Sequence, residues 1–177
     1  MAIVRKSAPR LPGAANDPTK TLEALRDRLR SAGLLTVPLN IRAVAEFLGV
    51  EVVEEAMDDD LSGYLEMHGG RWVAGINAFH HSNRKRFTVA HEIAHLLLHS
   101  SDETSFHDRT FARREAEGKP MEREADAFAA ALLMPANDVR QAIAAGETSL
   151  SALAERFKVS ALAMKFRVMK LGYRVNQ

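Results

Sequence analysis

Cysteine is absent from the 177 residues, which removes disulfides, thiolate nucleophiles, thiolate-ligated zinc and iron-sulfur clusters together. A metal site in this chain must therefore be built from His, Asp and Glu. Long apolar runs are missing too. The longest stretch free of charged and strongly polar residues, Ala127 to Ala136, is about half of the roughly 20 residues that a membrane helix needs. Before Arg5 and Lys6 the only apolar side chains are those of the opening MAIV, short of the roughly 7 to 15 apolar residues of a signal peptide. A cytoplasmic protein with no membrane partner is the expectation. Nor is one sign of charge in excess: 24 Lys plus Arg face 23 Asp plus Glu, unlike the basic signature that makes nucleic acid the default partner. The near-neutral total conceals an acidic middle between basic ends, and residues 148–177 carry six basic side chains against Glu155 alone. What remains, 46% hydrophobic and 27% charged residues, is the balance of a globular chain of about one domain.

Residues 1–18 are broken by Pro9, Pro12, Gly13 and Pro18 and read as an extended, mobile lead-in. From Thr19, Leu22, Leu25 and Leu29 recur at helical spacing up to Gly33, and Ile41, Val44, Ala45 and Leu48 repeat the pattern up to Gly49. Val50 to Met57, Leu61 to Met67 and Arg71 to Phe79 are rich in β-branched and aromatic residues with approximate alternation. Gly69-Gly70 fits a tight hairpin turn with positive φ. These runs predict a small antiparallel sheet, with Arg71 to Phe79 either an open edge for an extended peptide or a covered one. Ser82 or Asn83 can cap a helix running through Phe87, Ala90, Ala94 and Leu97. Residues 100–120 are polar and charge-rich, with weak periodicity, and predict a loop with one short helix at most. Helices follow over Glu122 to Met134, ended by Pro135, and over Ala136 to Ala145, Ser149 to Phe157 and Ala161 to Leu171. The fold class is α+β, with the sheet packed on the helix of residues 82–99 and a C-terminal helical part.

On that helix His91-Glu92-Ile93-Ala94-His95 has the spacing His-Glu-x-x-His. Residues four apart share a helix face, so two imidazoles can converge on one ion while Glu92 stands beside it as a base. With seven histidines in the chain, chance yields about 0.02 such strings. Two buried histidines satisfied by backbone carbonyls are the alternative. A hydrolytic zinc takes three protein ligands and keeps a fourth position for water. His99 is eight residues from His91, a helical rise of about 12 Å, too far to join it on one ion, and is left a helix-end or outer-shell role. In Glu122-Arg123-Glu124-Ala125-Asp126, Glu122 lies about 50° from the centre of the apolar stripe and Glu124 about 110°. Glu122 is therefore the candidate third ligand, and Asp126, one turn on, a candidate acceptor for the outer ring nitrogen of a ligating histidine. A solvated helix start with acids at its positive end is the competing reading. The oxyanion stabiliser stays open among His68, His80, His81, His107, Tyr64 and several arginines.

The strings Arg86-Phe87-Thr88-Val89-Ala90-His91-Glu92-Ile93-Ala94-His95-Leu96-Leu97-Leu98-His99, Glu122 to Ala130 and Leu132-Leu133-Met134-Pro135 resemble the ImmA/IrrE family of metallopeptidases, over roughly residues 20–173. The resemblance implies a zincin-like catalytic domain, zinc held by His91, His95 and Glu122 (manganese being possible), and Glu92 as general base. It also implies a helix-turn-helix transcriptional repressor as substrate, cleaved to relieve repression in a stress response or a mobile element. Asp126 stands where the family often has Asn, and either accepts the same hydrogen bond. Division into the lead-in (1–18), a zincin-like metallopeptidase domain (19–147) and a helix-turn-helix-like cap (148–177) follows. Those last helices and their net +5 also suit a regulator that binds DNA or a repressor around a structural or degenerate metal site. The favoured reading has Leu150, Leu153, Phe157, Leu162, Phe166 and Met169 packing the cap onto the catalytic part. The intact Glu92 discriminates between the two functions, since a structural site has no use for a base.

Overall fold

The computed structural model describes residues 17–100, 105–109 and 120–175. Seven helices and four strands occur among them. Helix α1 (Pro18–Ser31) starts where the Asp17 carboxylate accepts from the Thr19 and Lys20 amides at 3.0 and 3.3 Å, with proline in the first turn, where its missing N–H costs nothing. Asn40 caps α2 (Ile41–Phe47) in the same way. Strands β1 (Val50–Glu55), β2 (Leu61–His68) and β3 (Arg71–Asn77) follow, then α3 (Ser82–Leu98). The cap of α3 is His81, whose Nδ1 accepts from the Asn83 amide at 3.2 Å. The cap stands one residue before the serine expected to supply it, and an imidazole nitrogen takes the acceptor role. Gly69 and Gly70 turn β2 into β3 with φ of 56° and 82°.

The sheet runs β1-β3-β2-β4, antiparallel at β3–β2 and β2–β4, whereas β1 joins β3 in parallel. Arg71 to Asn77 is thus an interior strand and offers no open edge. β1 lies beside β3 and not beside its sequence neighbour because β2 folds back on the other flank. Strand β4 (Ser105–Arg109) occupies part of the segment read as a loop; residues 101–104 and 110–119 of that reading, like the lead-in, lie outside the described residues. Phe106 gives β4 its reason, since it is buried while Ser105 and His107 on either side are exposed. Asn77, fully buried, staples the β1–β2 connection to the entrance of α3: its amide donates to the carbonyls of Leu61 (2.8 Å) and Asp58 (3.2 Å) and accepts from the Phe79 amide (3.0 Å).

Helices α4 (Pro120–Leu133), α5 (Ala136–Ala144), α6 (Leu150–Phe157) and α7 (Ala161–Lys170) complete the chain. One buried cluster links Leu29 of α1, Val44 of α2, Leu65 and Ile76 of the sheet, Ile93 of α3, Phe128 of α4, and Phe157 and Met164 of the last two helices. Polar ties reinforce it: Asn83 donates to the Val159 carbonyl at 3.0 Å, and the Arg86 guanidinium to those of Lys158 (3.0 Å) and Leu39 (2.8 Å). The packing of α7 differs from expectation. Met164 and Val168 face inward, whereas Leu162, Phe166 and Met169 are 56%, 50% and 51% exposed. The two sets lie on different faces because residues four apart share a face and residues two apart do not.

Candidate metal centre

α3 is the central helix, and its middle turns are buried on every side between the sheet and α4. In that interior His91, Glu92 and His95 are 0%, 0% and 1% exposed. Polar side chains so deeply buried require partners, and the neighbouring elements supply them. α4 brings Glu122 and Asp126, one turn apart, against the pair on α3. His91 Nε2 lies 3.0 Å from His95 Nε2 and 3.2 Å from Glu122 Oε2, and His95 Nε2 lies 3.4 Å from Glu122 Oε1.

The outer nitrogens determine the tautomers. The Asp126 carboxylate accepts from His91 Nδ1–H at 3.0 Å, which leaves Nε2 with its lone pair. Glu124 accepts from His99 Nε2–H at 3.2 Å, so His99 Nδ1 is free to accept from His95 Nδ1–H at 3.0 Å, and His95 Nε2 is bare as well. Two imidazole lone pairs and a carboxylate therefore point at one another, a repulsive arrangement that a cation relieves. Ligand atoms on a tetrahedral zinc with bonds of about 2.0–2.1 Å stand roughly 3.3 Å apart, and the three separations bracket that value. The donor set fits a divalent ion of zinc's preferences.

Protonation agrees. Burial pushes the pKa of His95 down to about 4, so its ring is neutral near pH 7. Burial raises that of Glu122, but the hydrogen bonds and charge that His91 and His95 supply when protonated outweigh it, so the carboxyl is held well below its ordinary value. Neutral rings and an ionised carboxylate are the states in which these side chains bind metals.

Three neighbours shape the surroundings. Phe106 of β4 stacks on the His95 ring, centroids 4.7 Å apart and planes 18° from parallel. Gly63 of β2 lies against α3 so closely that a Cβ there would stand 2.6 Å from the Gly75 carbonyl oxygen, 2.7 Å from Thr88 Cγ2 and 3.3 Å from Glu92 Oε1. The β2–β4 register slips between Leu61 and Gly63. A glycine inside a strand is the signal for such close approach. Glu124, placed by helical phase away from the core, is 54% exposed yet reaches His99; its length spans what its Cα position does not.

The structure gives the tyrosine and histidine candidates for the oxyanion other partners or surroundings. Tyr64, next to core-facing Leu65 and so on the opposite sheet face, donates to Glu55 at 3.0 Å, and its pKa is raised to about 12 by burial and by that carboxylate. His68 and His107 both pair with Glu66, at 2.8 and 3.0 Å. His81 caps α3, and His80 next to it faces Arg84, Lys85 and Asp59.

The family model for Peptidase M78, described as the IrrE N-terminal-like domain, matches residues 45–169. A transcriptional regulator from Mycobacterium tuberculosis is similar in structure, with a TM-score of 0.56 at 18% identity, over 85% of this chain and 46% of that one. The present chain thus spans less than half of that regulator. No curated protein matches.

Proposed function

The chain belongs to the IrrE N-terminal-like peptidase family, and from that premise we propose that it is a zinc-dependent endopeptidase whose substrate is a partner helix-turn-helix transcriptional repressor. The observation that carries the reading is the convergence of His91, His95 and Glu122, their ligand atoms within 4.8 Å of one another, beside a buried glutamate on the same helix. His91, His95 and Glu122 would hold the ion. When bound, zinc acidifies a water and polarises a carbonyl; manganese is the alternative that metal reconstitution distinguishes. Asp126, and Glu124 through His99, orient the two imidazoles from behind. The Glu92 carboxylate takes a proton from the attacking water and passes it to the amine nitrogen as the C–N bond breaks, yielding a carboxylate and an amine. Phe106 and the close approach of Gly63 exclude bulk solvent from that carboxylate's side of the helix.

Proteolysis of a regulator is favoured over DNA binding by the outward face of α7. The second helix of a DNA-reading pair presents polar and basic groups to a groove, but this one exposes Leu162, Phe166 and Met169 and turns Arg167 inward to the Met134 carbonyl at 2.8 Å. No helix among the described residues is long and apolar enough to cross a membrane. The test mixes the zinc-loaded chain with a helix-turn-helix repressor encoded beside it. Cleavage at a defined bond is expected, and Glu92→Gln should keep the metal and lose the activity. Unchanged cleavage by that variant would overturn the role of Glu92, and indiscriminate digestion of unrelated proteins would overturn the substrate.

A further inference from the structure

The outward side of α7 carries a row of apolar side chains that the fold leaves half in water. Leu162 and Met169, 56% and 51% exposed, hold its ends, and Phe166 between them, which also has a partner within the fold, is still 50% exposed. At about 100° per residue the three fall within an arc of about 60°, and Lys165 and Lys170 flank that arc at about 70° on either side. α7 has no acidic residue to answer these lysines, and Glu155, the one acid in residues 148–177, is bound to Lys158. We propose that this face is a docking surface for an amphipathic helix of a partner protein whose own apolar stripe is bordered by Asp and Glu. Such docking goes beyond the peptidase reading and does not depend on it.

Shape and charge select that occupant. Side chains at i, i+4 and i+7 form a ridge along a helix, and such a ridge packs into the groove between side-chain rows of a second helix. An extended peptide gains nothing comparable, because a helix backbone is bonded to itself and offers no ladder to pair with. The row spans about 10 Å, or two turns, so the contact is small, and small contacts are the transient ones. The lysines stand where the polar rim of an interface lies, and their charge is complemented by carboxylates opposite. The ridge is held rigid from behind, by Met164 and Val168 in the core and by Arg167 donating to the Met134 carbonyl at 2.8 Å, so little ordering opposes binding. A membrane is disfavoured on both counts: three half-exposed side chains bury too little to anchor the chain, and its acidic middle is repelled by anionic lipid.

The test uses the full-length chain and two synthetic helical peptides of about five turns. Both carry leucine along one face, bordered by glutamate in one peptide and by lysine in the other. Fluorescence anisotropy at low salt should show the glutamate peptide bound about tenfold more tightly, with the difference shrinking as salt screens it. Nitrogen-15 spectra should place the shifted amides at Leu162, Lys165, Phe166 and Met169. Reversing both borders, Lys165→Glu with Lys170→Glu, should transfer the preference to the lysine peptide. Leu162→Ser with Met169→Ser, at exposed positions of little consequence for folding, should weaken binding severalfold. Equal affinity for the two peptides, shifts centred elsewhere, undiminished binding by the serine variant, or a charge reversal that leaves the preference unchanged would overturn the docking surface. Binding to phosphatidylglycerol-containing vesicles while neither peptide binds would replace it with a membrane contact. Dimerisation of the chain that the serine variant loses would replace it with a second copy. Nothing is cut in these measurements, so their outcome stands apart from that of repressor cleavage.

Discussion

Replacing Gly63 with alanine adds one methyl group where β2 and α3 already touch. That carbon would fall about 0.8 Å inside ordinary contact with the Gly75 carbonyl oxygen and about 0.7 Å inside it with Thr88 Cγ2. Neither neighbour yields easily: one is backbone of the adjoining strand, and the other is a buried β-branched side chain on α3 whose hydroxyl is bonded to the preceding turn. β2 must lift from α3, or α3 must move. Overpacking of this kind costs about 1–3 kcal/mol, measurable as a fall in the denaturation midpoint. Glu92 Oε1, 3.3 Å from the same carbon, would be displaced by a fraction of an ångström, and misplacement by about 1 Å can cost a factor of about 100 in rate. Gly63→Ala should therefore lose about ten- to a hundredfold in kcat at full folding. Zinc content should be retained, because its ligands do not touch this carbon. The assay pairs repressor cleavage with metal analysis on the same preparation. Wild-type stability together with wild-type kcat would refute the close approach of β2 to Glu92, and loss of zinc along with activity would show that the damage spreads through α3.

Further tests follow from the same geometry. Glu122→Ala removes a ligand and should lower zinc content after dialysis, whereas Glu124→Ala should leave the ion bound at reduced affinity; full occupancy in Glu122→Ala would refute the ligand assignment. Asp126→Ala and His99→Leu each free an outer ring nitrogen and should weaken zinc affinity about 10- to 100-fold in a chelator competition, and unchanged affinity in both would remove the orienting role. In metal-free protein His95 has a folded pKa near 4, below an ordinary value of about 6.5. The unfolded chain therefore binds more protons between those values. Stability should fall as pH drops from about 6.5 to about 4, by on the order of 3 kcal/mol at most. Glu122, held below its ordinary value, adds to the loss below about 4.5. Urea midpoints independent of pH across that range would contradict the burial of a neutral His95.

The helices and the grouping of His91, His95 and Glu122 were legible in the sequence because each of these side chains sits on a period local to its own helix. His91 and His95 four apart, and Glu122 on the inward side of an alanine-rich stripe, follow from 3.6 residues per turn alone. Strand order does not follow from any local period. Arg71 to Asn77 reads as well at an edge as between β1 and β2, and β4 exists through pairing with β2 and the burial of Phe106. α7 failed differently, because Leu162, Phe166 and Met169 make a helical stripe as regular as the inward pair Met164 and Val168, and amphipathicity alone does not say which apolar stripe meets the core. Glu124 shows the same limit at atomic scale, since phase places its Cα but not the end of a long side chain.

The ligand set is split between two helices, with Glu122 made 27 positions after His95. During synthesis from the N-terminus, the two histidines emerge first and offer an incomplete site. Only when α4 has emerged and docked can the third ligand and the Asp126 support arrive together, one turn apart on the same helix. On the proposed ligand set, metal uptake would come late in maturation, and a chain stalled before residue 122 would lack the third candidate ligand.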